Sequence, residues 1–313
     1  MRIEPYDPAA APQVADLIRQ AFAEHCGRTP LNLSSPPAPY ATVEELAEAL
    51  GDDAVCAEAS FVARDGDMLL SAAIARRDGD DLGWWRIATD PAHRRQGLAQ
   101  RCMEAGERAL RAMDAERVVT VETVDSRWEA AGGLFKALGY ELEDPDRRNI
   151  TMAVRGWTPR ELVLPDGYEL GTLAEADIES WLECRNRVFG GDADEEWFRG
   201  RFSSRADFDP TGWHLIKQGG RIVAIAGALD ICHRRDPERL RGAMIEYVGV
   251  LEDHRGRGLG EAVVVACLNW LADRGVELAM LLTQPFRVPA VRLYEKLGFR
   301  TIAAWHRWVK PLA

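Results

Sequence analysis

The feature that most constrains this 313-residue chain is that it repeats itself. A basic, glycine-bearing run, Arg94-Arg95-Gln96-Gly97-Leu98-Ala99, returns as Arg255-Gly256-Arg257-Gly258-Leu259-Gly260, which is 161 positions later by subtraction of 94 from 255. The same order of features surrounds each copy. Both halves open on an amphipathic helix pattern: Val14, Leu17, Ile18, Ala21, Phe22, and then Ile178, Trp181, Leu182, Arg185, Val188, Phe189. A strand, a tight turn and a strand follow. They read as Phe61 to Arg64, Asp65-Gly66 and Met68 to Ile74, matched by Trp213 to Lys217, Gly219-Gly220 and Ile222 to Ile231. Asp-Gly and Gly-Gly supply the positive φ angles that such hairpins need.

Behind each basic loop a helix keeps one apolar stripe, Leu98, Cys102, Ala105, Ala109, Leu110 or Leu259, Val263, Ala266, Cys267, Trp270, Leu271. Each half closes with an apolar strand (Val118 to Val124; Leu278 to Thr283), a short helix stopped by Gly139 or Gly298, and a last strand. This order predicts two α/β domains, residues 1–155 and 156–313. Their join falls in the proline-bearing stretch from Arg155 to Gly167, which breaks both periodicities. The run Ser34-Ser35-Pro36-Pro37-Ala38-Pro39 is read as a loop inside the first domain, since the repeat continues on both sides of it.

Composition narrows the function. At 47% hydrophobic and 28% charged residues the chain resembles folded soluble proteins. A formal charge of -11 is the wrong sign for holding a phosphate backbone, so no nucleic-acid partner is expected. It fits an amine-bearing, cationic acceptor only weakly, because such a surplus of Asp and Glu is more often a plain solubility feature. No run approaches the roughly 20 apolar residues of a membrane span and the N-terminus lacks a signal pattern, so no membrane partner and a cytoplasmic location are expected. Cys26, Cys56, Cys102, Cys184, Cys232 and Cys267 are scattered without a Cys-x-x-Cys pair. They read as reduced, buried fillers, with no metal expected.

A glycine-rich turn entering a helix aims several backbone N–H groups one way, and the helix dipole adds partial positive charge there. Such a loop can hold a pyrophosphate. Gly256, Gly258 and Gly260 are read as sites where a side chain would block its approach, and Arg255 and Arg257 as neutralising its charge. Taken alone, the run is equally an ordinary strand-to-helix connection with solvated arginines. A dinucleotide fingerprint would come near the start of its domain, and a Walker loop would end in Gly-Lys-Ser/Thr. Neither condition is met here.

The two runs carry the pattern Arg/Gln-x-x-Gly-x-Gly/Ala. Later in the second half stands Ala290-Val291-Arg292-Leu293-Tyr294-Glu295-Lys296-Leu297-Gly298-Phe299. In these motifs, in this order, the chain resembles the GNAT N-acetyltransferase superfamily over essentially its whole length. The resemblance implies two tandem GNAT-like domains, α/β of the α+β kind. Each would be a mixed, mostly antiparallel sheet flanked by helices and splayed between its fourth and fifth strands. It implies acetyl-CoA as acyl donor, the pantetheine arm along Val248, Gly249 and Val250, and the pyrophosphate on the amides of Arg257, Gly258, Leu259 and Gly260. Acyl transfer would then be direct attack of an amine on the thioester.

A protonated amine must lose a proton before it attacks, so a carboxylate at the cleft is a reasonable general base. Glu246 stands where the resemblance puts one, and an outward-facing strand charge is the other reading. Tyr294 matches the family tyrosine that assists departure of the thiolate, the alternative being a core tyrosine. Arg287 stands where the family often has Asn near the pantetheine arm. In the first half Trp85, Trp128 and Phe135 occupy the places of Glu246, Arg287 and Tyr294. Neither Trp nor Phe can serve as the acid or base, so the first domain is expected to be non-catalytic. Its loop, Arg94 to Ala99, remains a candidate second CoA site. His93 and His254, at equivalent places before the two loops, are read as local or phosphate-side contacts. Asp192, Asp194, Glu195 and Glu196 are read as an acceptor-side or merely solvated acidic loop. The expected partner is a small-molecule amine, and the expected state a monomer or homodimer. A non-catalytic acyl-CoA sensor and a protein N-acetyltransferase are the alternatives.

Overall fold

In the computed structural model the described residues are 1–22, 42–121, 124–144, 148–203, 208–230 and 242–312. Cys26, Cys232, the Ser34 to Pro39 loop and the end of the strand expected to reach Ile231 lie outside them. In chain order the elements are β1 (Arg2–Pro5), α1 (Ala11–Phe22), α2 (Val43–Leu50), β2 (Val55–Asp65), β3 (Met68–Asp78), β4 (Asp81–Thr89), α3 (Leu98–Ala112), β5 (Arg117–Thr120), β6 (Val124–Asp125), α4 (Glu129–Ala137), β7 (Glu141–Leu142) and β8 (Asn149–Arg155). They continue with β9 (Tyr168–Thr172), α5 (Ile178–Phe189), α6 (Glu195–Phe198), β10 (Trp213–Gln218), β11 (Arg221–Asp230), β12 (Gly242–Val250), α7 (Leu259–Asp273), β13 (Leu278–Thr283), α8 (Val288–Lys296), β14 (Arg300–His306) and β15 (Trp308–Pro311).

Two compact units result, Met1–Arg148 with Ala303–Ala313, and Asn149–Ile302. The sequence puts a single join at 155/156, whereas these units divide the chain at 148/149 and again at 302/303. The reason is that the closing strand of each repeat lies in the other repeat's sheet. In the first unit the order is β1-β2-β3-β4-β5-β15-β7, so the last strand of the chain lies between β5 and β7. In the second unit the strands run β8-β13-β12-β11-β10-β9, so the strand that ends the first repeat lies beside β13. Its five interior residues, Ile150 to Val154, are all buried, as a central strand requires. The strand expected over Val118 to Val124 stops at Thr120, and Val124 and Asp125 form the separate β6, paired with Trp305 and His306.

β4 pairs with β5 and β12 with β13 in parallel, whereas β1–β2, β2–β3, β3–β4, β9–β10, β10–β11, β11–β12 and β8–β13 are antiparallel. Period-two alternation sends Trp84 and Trp85 of β4 into two different apolar clusters, one with α3 and α4, the other with α1 and α2. In the second unit α7 packs on β10, β11 and β12, and α5 on β11 and β12. Cys56, Cys102, Cys184 and Cys267 are buried free thiols, and burial raises Cys102 and Cys184 to about 12. Among the described residues no helix is long and apolar enough to cross a membrane, and no side-chain group is arranged to hold a metal.

One buried group makes stability depend on pH. His214 of β10 lies between Thr172 and Ala226, and neither ring nitrogen has a hydrogen-bond partner among the described residues. Burial lowers its pKa from 6.5 to about 4. The folded protein keeps the ring neutral while the unfolded chain protonates it, so its contribution is complete above pH 6.5 and is lost as pH falls toward 4. The expected loss is about 3 kcal/mol. Urea midpoints of His214→Leu should fall less over that window than those of the native protein, and parallel curves would contradict this.

Candidate active site

The glycine-bearing loops owe their shape to backbone conformation. Gly256 and Gly258 have φ of 75° and 81°, the left-handed region that an L side chain enters only at a cost. A Cβ on either would meet nothing within 4 Å, so the requirement expected from crowding is one of conformation instead. Gly260 has no such φ, and a Cβ there would make ordinary contacts with Leu293 at 3.4 Å and Val250 at 3.5 Å. Those neighbours bring together the entry to α7, the end of β12, and the residue of α8 next to Tyr294. Lys296 of α8 also donates to Glu261 of α7 at 2.5 Å. Leu259 is buried at the start of α7.

The strand before the loop is opened on one side. β12 pairs with β13 only from Gly242 to Met244, so Ile245 to Val250 run on past their parallel neighbour. On the other side β12 carries one residue more than β11: Ile225 faces Gly249 while Gly227 faces Glu246. The extra residue bends the strand. Here Tyr247 takes φ 53°, which local sequence gives no way to foresee. Its ring is held by those of Trp181, Phe189, Trp197, Phe202 and Trp213, at centroid distances of 5.7, 5.8, 6.3, 5.4 and 6.0 Å. Glu246 and Val248 are half-buried and Gly249 is buried, with Val188 and Phe189 packed closely over its Cα.

Tyr294 is 5% exposed on α8, and burial raises its phenol to about 12 although the charge of Arg287 acts the other way. A phenol so held stays protonated at neutral pH. Arg287 caps the start of α8 and donates through Nε to Gln284 at 3.0 Å. Arg255 donates to the carbonyl of Val250 at 3.2 Å and Arg257 to that of Asp253 at 3.4 Å, so both arginines fold back over their own loop. His254 pairs with the Tyr168 hydroxyl at 3.0 Å and His93 with Asp90 at 2.9 Å. Asp194 caps α6 through the amide of Trp197, and Glu195 and Glu196 line an open cleft with Arg199, Gly200 and Ser203.

The first unit copies the backbone and changes the side chains. β4 leaves β5 after Trp84 and carries an extra residue at Trp85. Arg95 adopts φ 64°, the conformation of Gly256, and Gly97 caps α3 at φ 72° before Leu98, as Gly258 caps α7. Arg94 donates to the carbonyl of Ala21 at 2.7 Å. Gln96 and Ala99 complete the run. Trp85 is buried with the guanidinium groups of Arg76 and Arg86 over it, 4.9 and 4.3 Å from its ring. Trp128 meets Phe22 at 5.1 Å, and Phe135 stacks on Trp308 at 5.6 Å. All three are packed among neighbours.

Comparison with known proteins bears on this geometry. The profile of the acetyltransferase (GNAT) family matches residues 17–140 and again residues 175–299. The mycothiol acetyltransferases of Pseudarthrobacter chlorophenolicus and Paenarthrobacter aurescens are 28% and 29% identical over 241 residues, covering 75% and 74% of this chain and 72% and 71% of their own. Among solved structures, a GCN5-related N-acetyltransferase from Sphaerobacter thermophilus matches with a TM-score of 0.67 at 22% identity, over 99% of this chain and 95% of its own. A tandem GNAT protein from the clavulanic acid biosynthesis pathway matches at 0.66 and 16% identity, over 100% and 98%. These two likenesses concern the fold. A family profile met twice, on two splayed sheets that each lead into a left-handed loop and a helix, means that the chain belongs to the acetyltransferase (GNAT) family, as an N-acetyltransferase built from a tandem repeat.

Proposed function

We propose that the second unit moves an acetyl group from acetyl-CoA to the primary amine of a small molecule. The observation that carries this reading is the meeting of three features in that unit: the open edge of β12, the left-handed loop at α7, and a buried tyrosine on α8. The amides of Arg257 to Gly260 would take the pyrophosphate, with Arg255 and Arg257 turning outward to its charge. The backbone of Val248 to Val250 would pair with the pantetheine arm, and Arg287 would lie beside it. Glu246, directly or through a water, takes the proton from the attacking amine, which adds to the thioester carbonyl. As the carbon–sulfur bond breaks, the Tyr294 hydroxyl protonates the leaving thiolate. The first unit, lacking an acid and a base at the matched positions, is the non-catalytic partner.

The acceptor is the open part of this reading. The tandem layout resembles mycothiol synthase, and relatives named mycothiol acetyltransferases cover most of the chain. The deacetylated form of mycothiol is therefore the first amine to try in a thiol-release assay with acetyl-CoA, followed by a panel of small amines. Tyr294→Phe removes only the hydroxyl and should lower turnover roughly 100-fold, within the range for proton-transfer catalysis. A change under about threefold, with chemistry rate-limiting, would remove Tyr294 from the mechanism.

A further inference from the structure

We propose that the ion pair between buried Glu107 and half-buried Lys310 decides which sheet each closing strand enters, a point independent of the reaction chemistry. The two units offer those strands the same slot. Val118 of β5 faces Lys310 of β15, and Ala279 of β13 faces Val154 of β8. Val118 and Ala279 are themselves one repeat apart, because Gly83 faces Val119 in the first unit and Met244 faces Met280 in the second, each 161 positions on. Lys310 and Val154 thus hold one and the same position.

What each meets there differs. Glu107 of α3, 3% exposed, accepts from the Lys310 ammonium at 2.6 Å and from the Tyr140 hydroxyl at 2.8 Å, and that hydroxyl accepts from the indole of Trp84 at 2.6 Å. In the second unit the counterparts of Glu107, Tyr140 and Trp84 are Leu268, Phe299 and Ile245, all buried and apolar. A second set follows the same rule. Arg307, just before β15, reaches Asp81 at 2.7 Å and Glu143 at 3.3 Å. The counterparts of those acids are Gly242 and Ile302, and that of Arg307 is Thr151 of β8.

Backbone hydrogen bonds accept either strand, so they cannot choose between slots. If each strand stayed with its own repeat, Val154 would cover a Glu107 that has lost its ammonium partner and keeps only the Tyr140 hydroxyl at 2.8 Å and the Arg111 guanidinium at 3.9 Å, and Lys310 would press on Leu268 and Phe299. A buried charge stripped of its partner is strongly destabilising, whereas exchanging both partners for apolar residues is often neutral. The pair therefore contributes discrimination more than stability.

The test uses the full chain. Glu107→Leu and Lys310→Val install the second unit's residues, singly and together. Each single variant should lose about 10 °C in Tm, and the double variant should regain at least half of the larger loss. Val309→Cys is then combined with Val119→Cys or Met280→Cys, which mark the two slots, and the disulfide formed on refolding is identified by mass spectrometry. The native pair should give the 309–119 link alone, and the double variant the 309–280 link as well. A double variant no more stable than the worse single one, or one that refolds with only the 309–119 link, overturns the proposal.

Discussion

Gly258→Glu should abolish CoA binding at the second unit while leaving the fold intact. No atom lies within 4 Å of the Cβ it would gain, so the cost to folding is confined to placing a side chain at φ 81°, about 1–2 kcal/mol. The cost to binding is larger, because a carboxylate would stand where the pyrophosphate approaches. Affinity should fall at least about 100-fold, close to 2.7 kcal/mol. Gly97→Glu makes the same change in the first unit and should leave acetyl transfer within about twofold, since that unit has Trp85 and Phe135 in place of an acid and a base. Calorimetry with CoA, circular dichroism and turnover of both variants decide the matter. If the folded Gly97→Glu protein is inactive and the Gly258→Glu protein is active, the roles of the two units are the reverse of those proposed.

Residues 156–313 expressed alone should be insoluble, although they hold every candidate catalytic residue. That fragment lacks β8, whose interior side chains Ile150, Met152, Ala153 and Val154 are buried beside β13, and it carries β15 without β5 and β7. It would expose both edges of an interrupted sheet together with the apolar surface that β8 covers. Residues 149–302 keep the sheet whole from β8 to β9 and should be markedly more soluble. Comparing soluble yield and hydrogen-exchange protection of the two fragments checks this. Equal behaviour would mean that β8 contributes little to the second unit.

The parts of the site that were legible in the sequence are those fixed within a few residues. Gly97, Gly256 and Gly258 mark the two loops, although their left-handed backbone was not read from the sequence, Gly139 and Gly298 stop helices, and Tyr294 stands in a long motif at fixed spacing. The left-handed conformation of Tyr247 was hidden, because five rings from α5, α6, β10 and the turn at Phe202 hold it and none is a sequence neighbour. Exchange of the closing strands was hidden for the same physical reason. Strand pairing is non-local, and the sequence shows only that each repeat closes on a last strand. The signal that separates them, a lysine facing a buried glutamate 203 residues away, is visible only once the register is known.

The order in which the chain leaves the ribosome inverts the order in which its units can finish. Everything the second unit needs has been made once Ile302 is out, while the first unit, most of which was made far earlier, still lacks β15. At about 5–20 residues per second, synthesis of residues 149–302 keeps that slot waiting for roughly 8–30 s. Throughout that time β5 presents an unpaired edge above the polar trio of Glu107, Tyr140 and Trp84. The half of the protein that is born first is the half that must be guarded longest.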